Sequence, residues 1–308
     1  MEKCPCSFTN PMNEPSTPTL QSWLLAARPR TLPAAAAPVF VATAFAVRDG
    51  VFHWPSALAC LLISLLMQVG ANFANDLFDH ERGTDTPDRL GPMRVTASGI
   101  LTPAQMRLGT ALVFAVAALI GLYLIWLRGW PVLILGLAII AAALAYTGGP
   151  FPYGYHALGD VFVFLSFGVA AVCGTYYAQS GTLTPTIAWA SVPVGVLIIN
   201  ILVVNNTRDI GTDAIANKRT LAVILGRKVM LIEYLLCLII AYLVPLALWK
   251  VGLAPMGGLL AWISLPRALV VYREFTRAEG RALNMTLAAT AQLALVFALL
   301  FALGVALF

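Results

Sequence analysis

An all-α bundle of about nine transmembrane helices is the fold class this sequence predicts, and three observations predict it. Of 308 residues, 60% are hydrophobic and 11% charged, where a soluble domain carries about 25% charged residues. Apolar runs occupy residues 31–47, 57–78, 105–127, 130–147, 158–178, 185–206, 229–249, 251–271 and 285–307, each close to the ~20 residues a spanning helix needs. Lysine and arginine then fall on alternate connections: 16 on one side of the implied membrane against Arg48, Arg128 and Lys250 on the other. A bias of that size places the N-terminus and the crowded side in the cytoplasm.

Taken in order, residues 1–20 are rich in Pro, Ser and Thr and read as a disordered tail, with no basic segment and apolar segment of the signal-peptide kind. Residues 21–308 read as one transmembrane domain. It begins with an interfacial helix at 21–30, anchored by Trp23. The net charge of +5 comes from loop residues that obey the membrane rule, and no basic stripe with interleaved aromatics is present, so nucleic acid is not an expected partner. The lipid bilayer is.

Two stretches depart from this apolar pattern. The run ending near Val69 leads into Asn72-Phe73-Ala74-Asn75-Asp76-Leu77-Phe78-Asp79, then Glu81, Asp85 and Asp88. About 130 residues later a second run leads into Asn205-Asn206-Thr207-Arg208-Asp209, then Asp213 and Lys218. Seven of the 14 acidic residues fall in these two places. On a helix, Asn72, Asp76 and Asp79 share a face, as do Asn205, Asp209 and Asp213. Two ladders of hard oxygen donors facing one cavity suit Mg²⁺, which takes one or two carboxylates together with substrate phosphate. Arg82, Arg89, Arg94, Arg208, Lys218 and Arg219 stand beside them as phosphate partners. The same acids would serve a cation-coupled transporter, but such sites sit near the midplane on broken helices. These acids sit at helix ends.

The connection Thr147-Gly148-Gly149-Pro150-Phe151-Pro152-Tyr153-Gly154-Tyr155 through Asp160 has no Lys or Arg. Its Gly, Pro and Tyr content predicts a tight, partly buried loop bordering the cavity, with Tyr153, Tyr155 and Asp160 available to substrate. His53, His80 and His156 offer no zinc spacing.

Asn75-Asp76-Leu77-Phe78-Asp79 with Gly83 and Asp85 resembles the first aspartate motif of the UbiA superfamily of intramembrane prenyltransferases. Asn206-Thr207-Arg208-Asp209-x-x-x-Asp213 with Lys218-x-Thr220-Leu221 resembles the second. Within the superfamily, Arg28-Pro29-Arg30-Thr31-Leu32-Pro33, Thr86-Pro87-Asp88-Arg89, Gly91-Pro92-x-Arg94 and Pro152-Tyr153-Gly154-Tyr155 are similar to the branch acting on 1,4-dihydroxy-2-naphthoate. Leu77 replaces a common tyrosine, and Asn217 a usual glycine.

The resemblance implies transfer of a polyprenyl chain from polyprenyl diphosphate to the naphthoate in menaquinone synthesis, in a bacterial cytoplasmic (inner) membrane; 4-hydroxybenzoate and homogentisate are the alternative acceptors. It implies Mg²⁺ held by Asp76, Asp79, Asp85, Asp209 and Asp213, with Asn72, Asn205 and Asn206 in support. Lys218, Arg208 and Arg94 would meet diphosphate, Arg30 the naphthoate carboxylate, and Tyr146 an allylic cation.

Overall fold

The computed structural model describes residues 18–84 and 89–308; Asp85 and Asp88, and the tail up to residue 17, lie outside them. A short α1 (Leu20–Ala27), capped by the Thr19 hydroxyl, ends at Arg28, whose backbone is left-handed with φ 51°. Proline at the next position disfavours right-handed helix at Arg28, and the chain turns there and enters α2 (Leu32–Arg48). The next helix, α3 (Trp54–Glu81), has 28 residues. At 1.5 Å per residue that is roughly 42 Å, against a hydrocarbon layer of about 30 Å. The excess is long enough for its last turns, which carry the first acidic motif, to extend past the lipid core.

Two helices, α4 (Pro103–Arg128) and α5 (Trp130–Ala145), follow, joined through Gly129 at φ 76°. The next crossing is α6 (Gly159–Val163), a π-helical stretch Phe164–Ala170, and α7 (Ala171–Ser180). Gly168 in the π stretch lies against Gly195 of α8 (Pro185–Arg208), where a Cβ would approach the neighbouring Cα to 3.0 Å. Of the spans, α8 is the most enclosed, 72% buried over its apolar window, and it forms the central wall. A short α9 (Ile210–Ile215) precedes α10 (Leu221–Lys250), which is broken at Gly226. A 3₁₀ segment Met256–Ser264 runs into the amphipathic α11 (Leu265–Arg277), and α12 (Leu283–Leu307) completes the bundle.

Among the described residues seven helical segments are long and apolar enough to span, with α5 a shorter apolar helix. The Met256–Arg277 segment stands where a ninth span is expected. The difference from expectation lies at 251–271, where the apolar run is half 3₁₀ and half amphipathic helix rather than one span. The main core joins α2, α8, α10, α11 and α12 through Phe45, Leu197, Tyr234, Phe275, Phe297 and Phe301, all buried. At the end remote from the acidic motifs, α12 crosses the 3₁₀ segment so closely that a Cβ on Gly304 would stand 1.8 Å from the Gly257 carbonyl oxygen. Gly304→Val is expected to force this crossing apart and lower stability by about 1–3 kcal/mol. A thermal melt in detergent checks this, with Gly121→Ala, whose Cβ would meet nothing within 4 Å, as the silent control.

Candidate active site

The last turns of α3 and α8 meet at one end of a cavity of about 500 Å³. Its polar mouth is lined by Arg28, Asn72, Asn75 and Asp79 on one side and by Asn205, Asp209, Asp213 and Lys218 on the other. From there an apolar bore runs between α3, α4, α5, the π stretch and α8, past Tyr146, Tyr153 and Phe162 to Leu122, Leu133 and Leu137. Leu122, Leu133 and Leu137 are exposed on the bundle surface, so the bore reaches the lipid-facing side.

Each carboxylate at the mouth is buried and partnered. Asp79 accepts from Arg94 Nη2 at 2.6 Å and from the Tyr155 hydroxyl at 2.8 Å. Thr84 shares the Tyr155 hydroxyl at 3.1 Å. Burial, and then the Asp79 charge, push the Tyr155 phenol above its ordinary range, which keeps it a donor. Asp209 receives both arms of Arg208, Nε to Oδ1 at 2.8 Å and Nη2 to Oδ2 at 2.5 Å. Asp213 lies 3.6 Å from Lys218 Nζ. Burial raises its carboxyl to about 6 against the lowering effect of Lys218.

The two halves are tied through loops. Thr147 donates to Asn75 Oδ1 at 3.0 Å, Arg82 donates to the carbonyls of Thr147 and Gly149, and Arg219 N donates to the Tyr155 carbonyl at 3.1 Å. Lys218 sits 5.5 Å from the Tyr155 ring centre.

The second ladder lies as expected on the cavity side, although the helix stops at Asp209 and restarts as α9. The first is rotated. Asn72 and Asp79 line the cavity with Asn75 between them, while Asp76 stands about 100° round the helix from Asn75. Both Asp76 oxygens accept backbone amides, from Val95 at 3.2 Å and Thr96 at 3.0 Å. Asn206 is buried with no partner for its Oδ1, and Asp160 is buried in the first turn of α6; neither lines the cavity.

Arg208 is also off the cavity wall. Besides Asp209 it donates to Asn284 Oδ1 at 2.8 Å and Asn205 Oδ1 at 2.9 Å, so it orients carboxylate and amide rather than meeting a ligand. Arg30 is exposed, and Arg28 lines the cavity in its place, its Nη2 buried without a partner. Arg28 and Asn75 were not singled out by spacing. The Arg28-Pro29 pair was the available signal for the turn that re-aims the arginine.

Leu77 packs with Phe73, Val95, Leu101 and Met106, away from the cavity. Asn217 adopts φ 54°, a conformation asparagine tolerates in place of glycine.

Among the described residues no three His, Cys, Asp or Glu side chains form a closed cation cage. Mg²⁺ does not need one, since it keeps waters and shares its ligands with phosphate. The oxygen donors of Asp79, Asp209, Asp213, Asn75 and Asn205, with Asp213 Oδ2 buried and unpartnered, fit such an ion.

Fold and mouth together define a helical membrane protein with a mouth of hard-oxygen donors and cations and an apolar bore behind it. The chain belongs to the UbiA prenyltransferase family, whose model matches residues 35–290. It is 37% identical over 96% of its length to the 1,4-dihydroxy-2-naphthoate octaprenyltransferase of Escherichia coli, covering 98% of that protein. It is 43% identical to the Mycobacterium tuberculosis enzyme of the same name over 66% of this chain and 70% of that one. The fold matches a UbiA homologue from Aeropyrum pernix with a TM-score of 0.67 at 16% identity, covering 86% of this chain and 94% of that one. A UbiA homologue from Archaeoglobus fulgidus bound to GPP and Mg²⁺ matches with a TM-score of 0.62 at 14% identity, over 90% of this chain and 98% of that one.

Arg208→Lys removes the planar fork that holds Asp209, and an ammonium cannot replace two parallel bonds. Prenyl transfer is expected to fall at least about tenfold, with a lower melting temperature from the broken buried pair. Turnover and a melt on the same preparation check it.

Proposed function

We propose that the protein transfers a polyprenyl chain from polyprenyl diphosphate to 1,4-dihydroxy-2-naphthoate, with loss of the ring carboxylate as CO₂, in menaquinone biosynthesis. The observation that carries this reading is one cavity joining a carboxylate-lined mouth to an apolar bore. The full-length similarity to the curated naphthoate enzymes selects the acceptor.

The allylic C–O bond breaks and diphosphate leaves, the carboxylate-bearing ring carbon of the electron-rich naphthoate forms the new C–C bond to the allylic carbon, and loss of CO₂ from that same ring carbon restores the aromatic ring. Asp79, Asp209 and Asp213, with Asn75 and Asn205, would hold Mg²⁺, which when bound neutralises charge growing on the leaving diphosphate. Lys218 adds a positive charge at the same mouth, and Arg94, already paired with Asp79, a second. The bore excludes water from the allylic carbon and directs the prenyl tail toward lipid. Tyr146 and Tyr153, packed edge to face with centroids 5.3 Å apart, present aromatic faces at the junction where allylic charge develops. Arg28, with one buried guanidinium nitrogen unpartnered, is suited to the acceptor carboxylate. The mouth faces the cytoplasm of a bacterial inner membrane in this reading, supported by the concentration of Lys and Arg on that side.

Purified protein given 1,4-dihydroxy-2-naphthoate, a polyprenyl diphosphate and Mg²⁺ is expected to yield the prenylated, decarboxylated product by mass spectrometry. Asp79→Asn and Asp209→Asn should each reduce the rate at least about a hundredfold. Turnover of 4-hydroxybenzoate but not the naphthoate would sink the acceptor assignment and keep the chemistry. Arg28→Met should raise the acceptor KM about tenfold, the loss of one charge-assisted contact, and change the prenyl diphosphate KM little; the opposite split would move Arg28 to the diphosphate.

A further inference from the structure

The first acidic motif contains a carboxylate that the cavity does not use. Asp76 is 1% exposed, and its two oxygens accept the backbone N–H groups of Val95 and Thr96 at 3.2 and 3.0 Å. The segment it grips holds Arg94, whose Nη2 lies 2.6 Å from Asp79 Oδ2. We propose that Asp76 is a positioning residue: it anchors the 94–96 backbone so that Arg94 is held against Asp79 at the mouth, and it does not ligate the metal. The proposal rests on the prenyltransferase reading for the role of the mouth, and on geometry alone for the anchor.

Three features make the anchor specific. Charged acceptors bind backbone amides more strongly than neutral ones, and two amides in succession need two acceptor oxygens side by side, which a carboxylate supplies and a carboxamide does not. The side chain between the two amides, Val95, is fully buried in a seat made by Phe73, Leu77, Leu101 and Met106, so polar and apolar contacts fix the same point. The segment then closes on itself, Ser98 N and Oγ donating to the Arg94 carbonyl at 3.0 and 2.8 Å and Ile100 N to the Val95 carbonyl at 3.0 Å. Helical geometry places Asn72, Asn75 and Asp79 on the cavity arc and Phe73 and Leu77 on the apolar arc, with Asp76 between them. From that position Asp76 reaches the loop.

The test uses full-length protein in detergent with geranyl diphosphate as the probe, and has three arms. In the metal-free, ligand-free protein, Asp76→Asn should accelerate hydrogen exchange across 94–98; unchanged exchange would overturn the anchor whatever the protein's activity. With Mg²⁺ saturating, Asp76→Asn should weaken geranyl diphosphate binding about tenfold, and Asp76→Asn/Arg94→Ala should bind no more weakly than Arg94→Ala alone; additive losses would overturn the coupling. The Mg²⁺ midpoint, read at geranyl diphosphate saturating for each variant so that the two affinities are not linked, should stay within about twofold of wild type in Asp76→Asn, while Asp79→Asn raises it at least about tenfold. A shift in Asp76→Asn equal to that of Asp79→Asn would make Asp76 a ligand. Should Asp76→Asn not fold, Asp76→Glu carries the same test: it keeps the charge but displaces the loop by a methylene. Glutamate with wild-type diphosphate binding would overturn the proposal. Failure of wild-type protein to bind geranyl diphosphate at all would count against the prenyltransferase reading, leaving the exchange arm to judge the anchor.

Discussion

A carboxylate taken out of water must find a partner, and at this mouth that requirement organises the surrounding chain. Removing one partner of a buried ion pair costs about 3–5 kcal/mol, so the partners must be fixed. Asp79 draws Arg94 and Tyr155 from two loops on either side of α4 and α5. Asp209 takes Arg208 from its own helix end, and Arg208 in turn holds Asn284 at the start of α12, whose amide donates to the Leu90 carbonyl at 2.9 Å. The acids thereby recruit the loops, and the loops close the end of the bundle over the cavity. Lys218 lies within 4 Å of Asp213 and over the Tyr155 ring, so the two halves share charge as well as backbone contact.

Cations at the opposite end do different work. Arg48 pairs with Asp49 and donates to the Leu253 carbonyl at 2.6 Å, and Arg128 donates to the Ala178 and Gln179 carbonyls at the end of α7. Arg128 thus supplies donors to carbonyls at a helix end that have no intrahelical N–H partner, and Arg48 does the same for the turn after α10. The mouth carries its excess of cations around a cavity, where a polyanion is the group that completes them.

The architecture was legible because membrane solvation leaves a chain few choices: backbone must be helical where lipid surrounds it, so apolar runs translate directly into crossings. The weakest of these readings was 251–271, where glycine-rich apolar sequence allowed a 3₁₀ segment. At the site, residue types were legible and orientations were not. Helical spacing admits both 72/75/79 and 72/76/79 as one face, and the choice was made by Phe73 and Leu77, whose burial against Val95 and Met106 turns Asp76 to the loop. Those contacts span sequence distances that periodicity cannot see. Arg28 and Arg30 were separated similarly, by one left-handed residue before a proline.

The placement of the breaks argues between an enzyme and a transporter. Alternating access works through discontinuous helices near the bilayer midplane, where half-helix ends meet the substrate. Here the interruptions beside the acids, Asp209 between α8 and α9 and Gly226 in the first turns of α10, lie at or near the mouth end. Deeper in the bundle, the π stretch Phe164–Ala170 stays helical and contributes Ser166, Phe167 and Ala170 to the bore wall. A π turn widens a helix locally without unpairing its backbone, which suits a wall shaped around an apolar chain better than a gate for an ion. The charged and apolar parts of the cavity are thus separated along its length: carboxylates, Lys218 and the arginines occupy the end where a diphosphate can reach from water. Among the described residues, the bore beyond offers no ionised group between Tyr146 and the lipid-facing leucines, so an ion entering it would shed hydration without compensation, whereas a prenyl chain would lose only water.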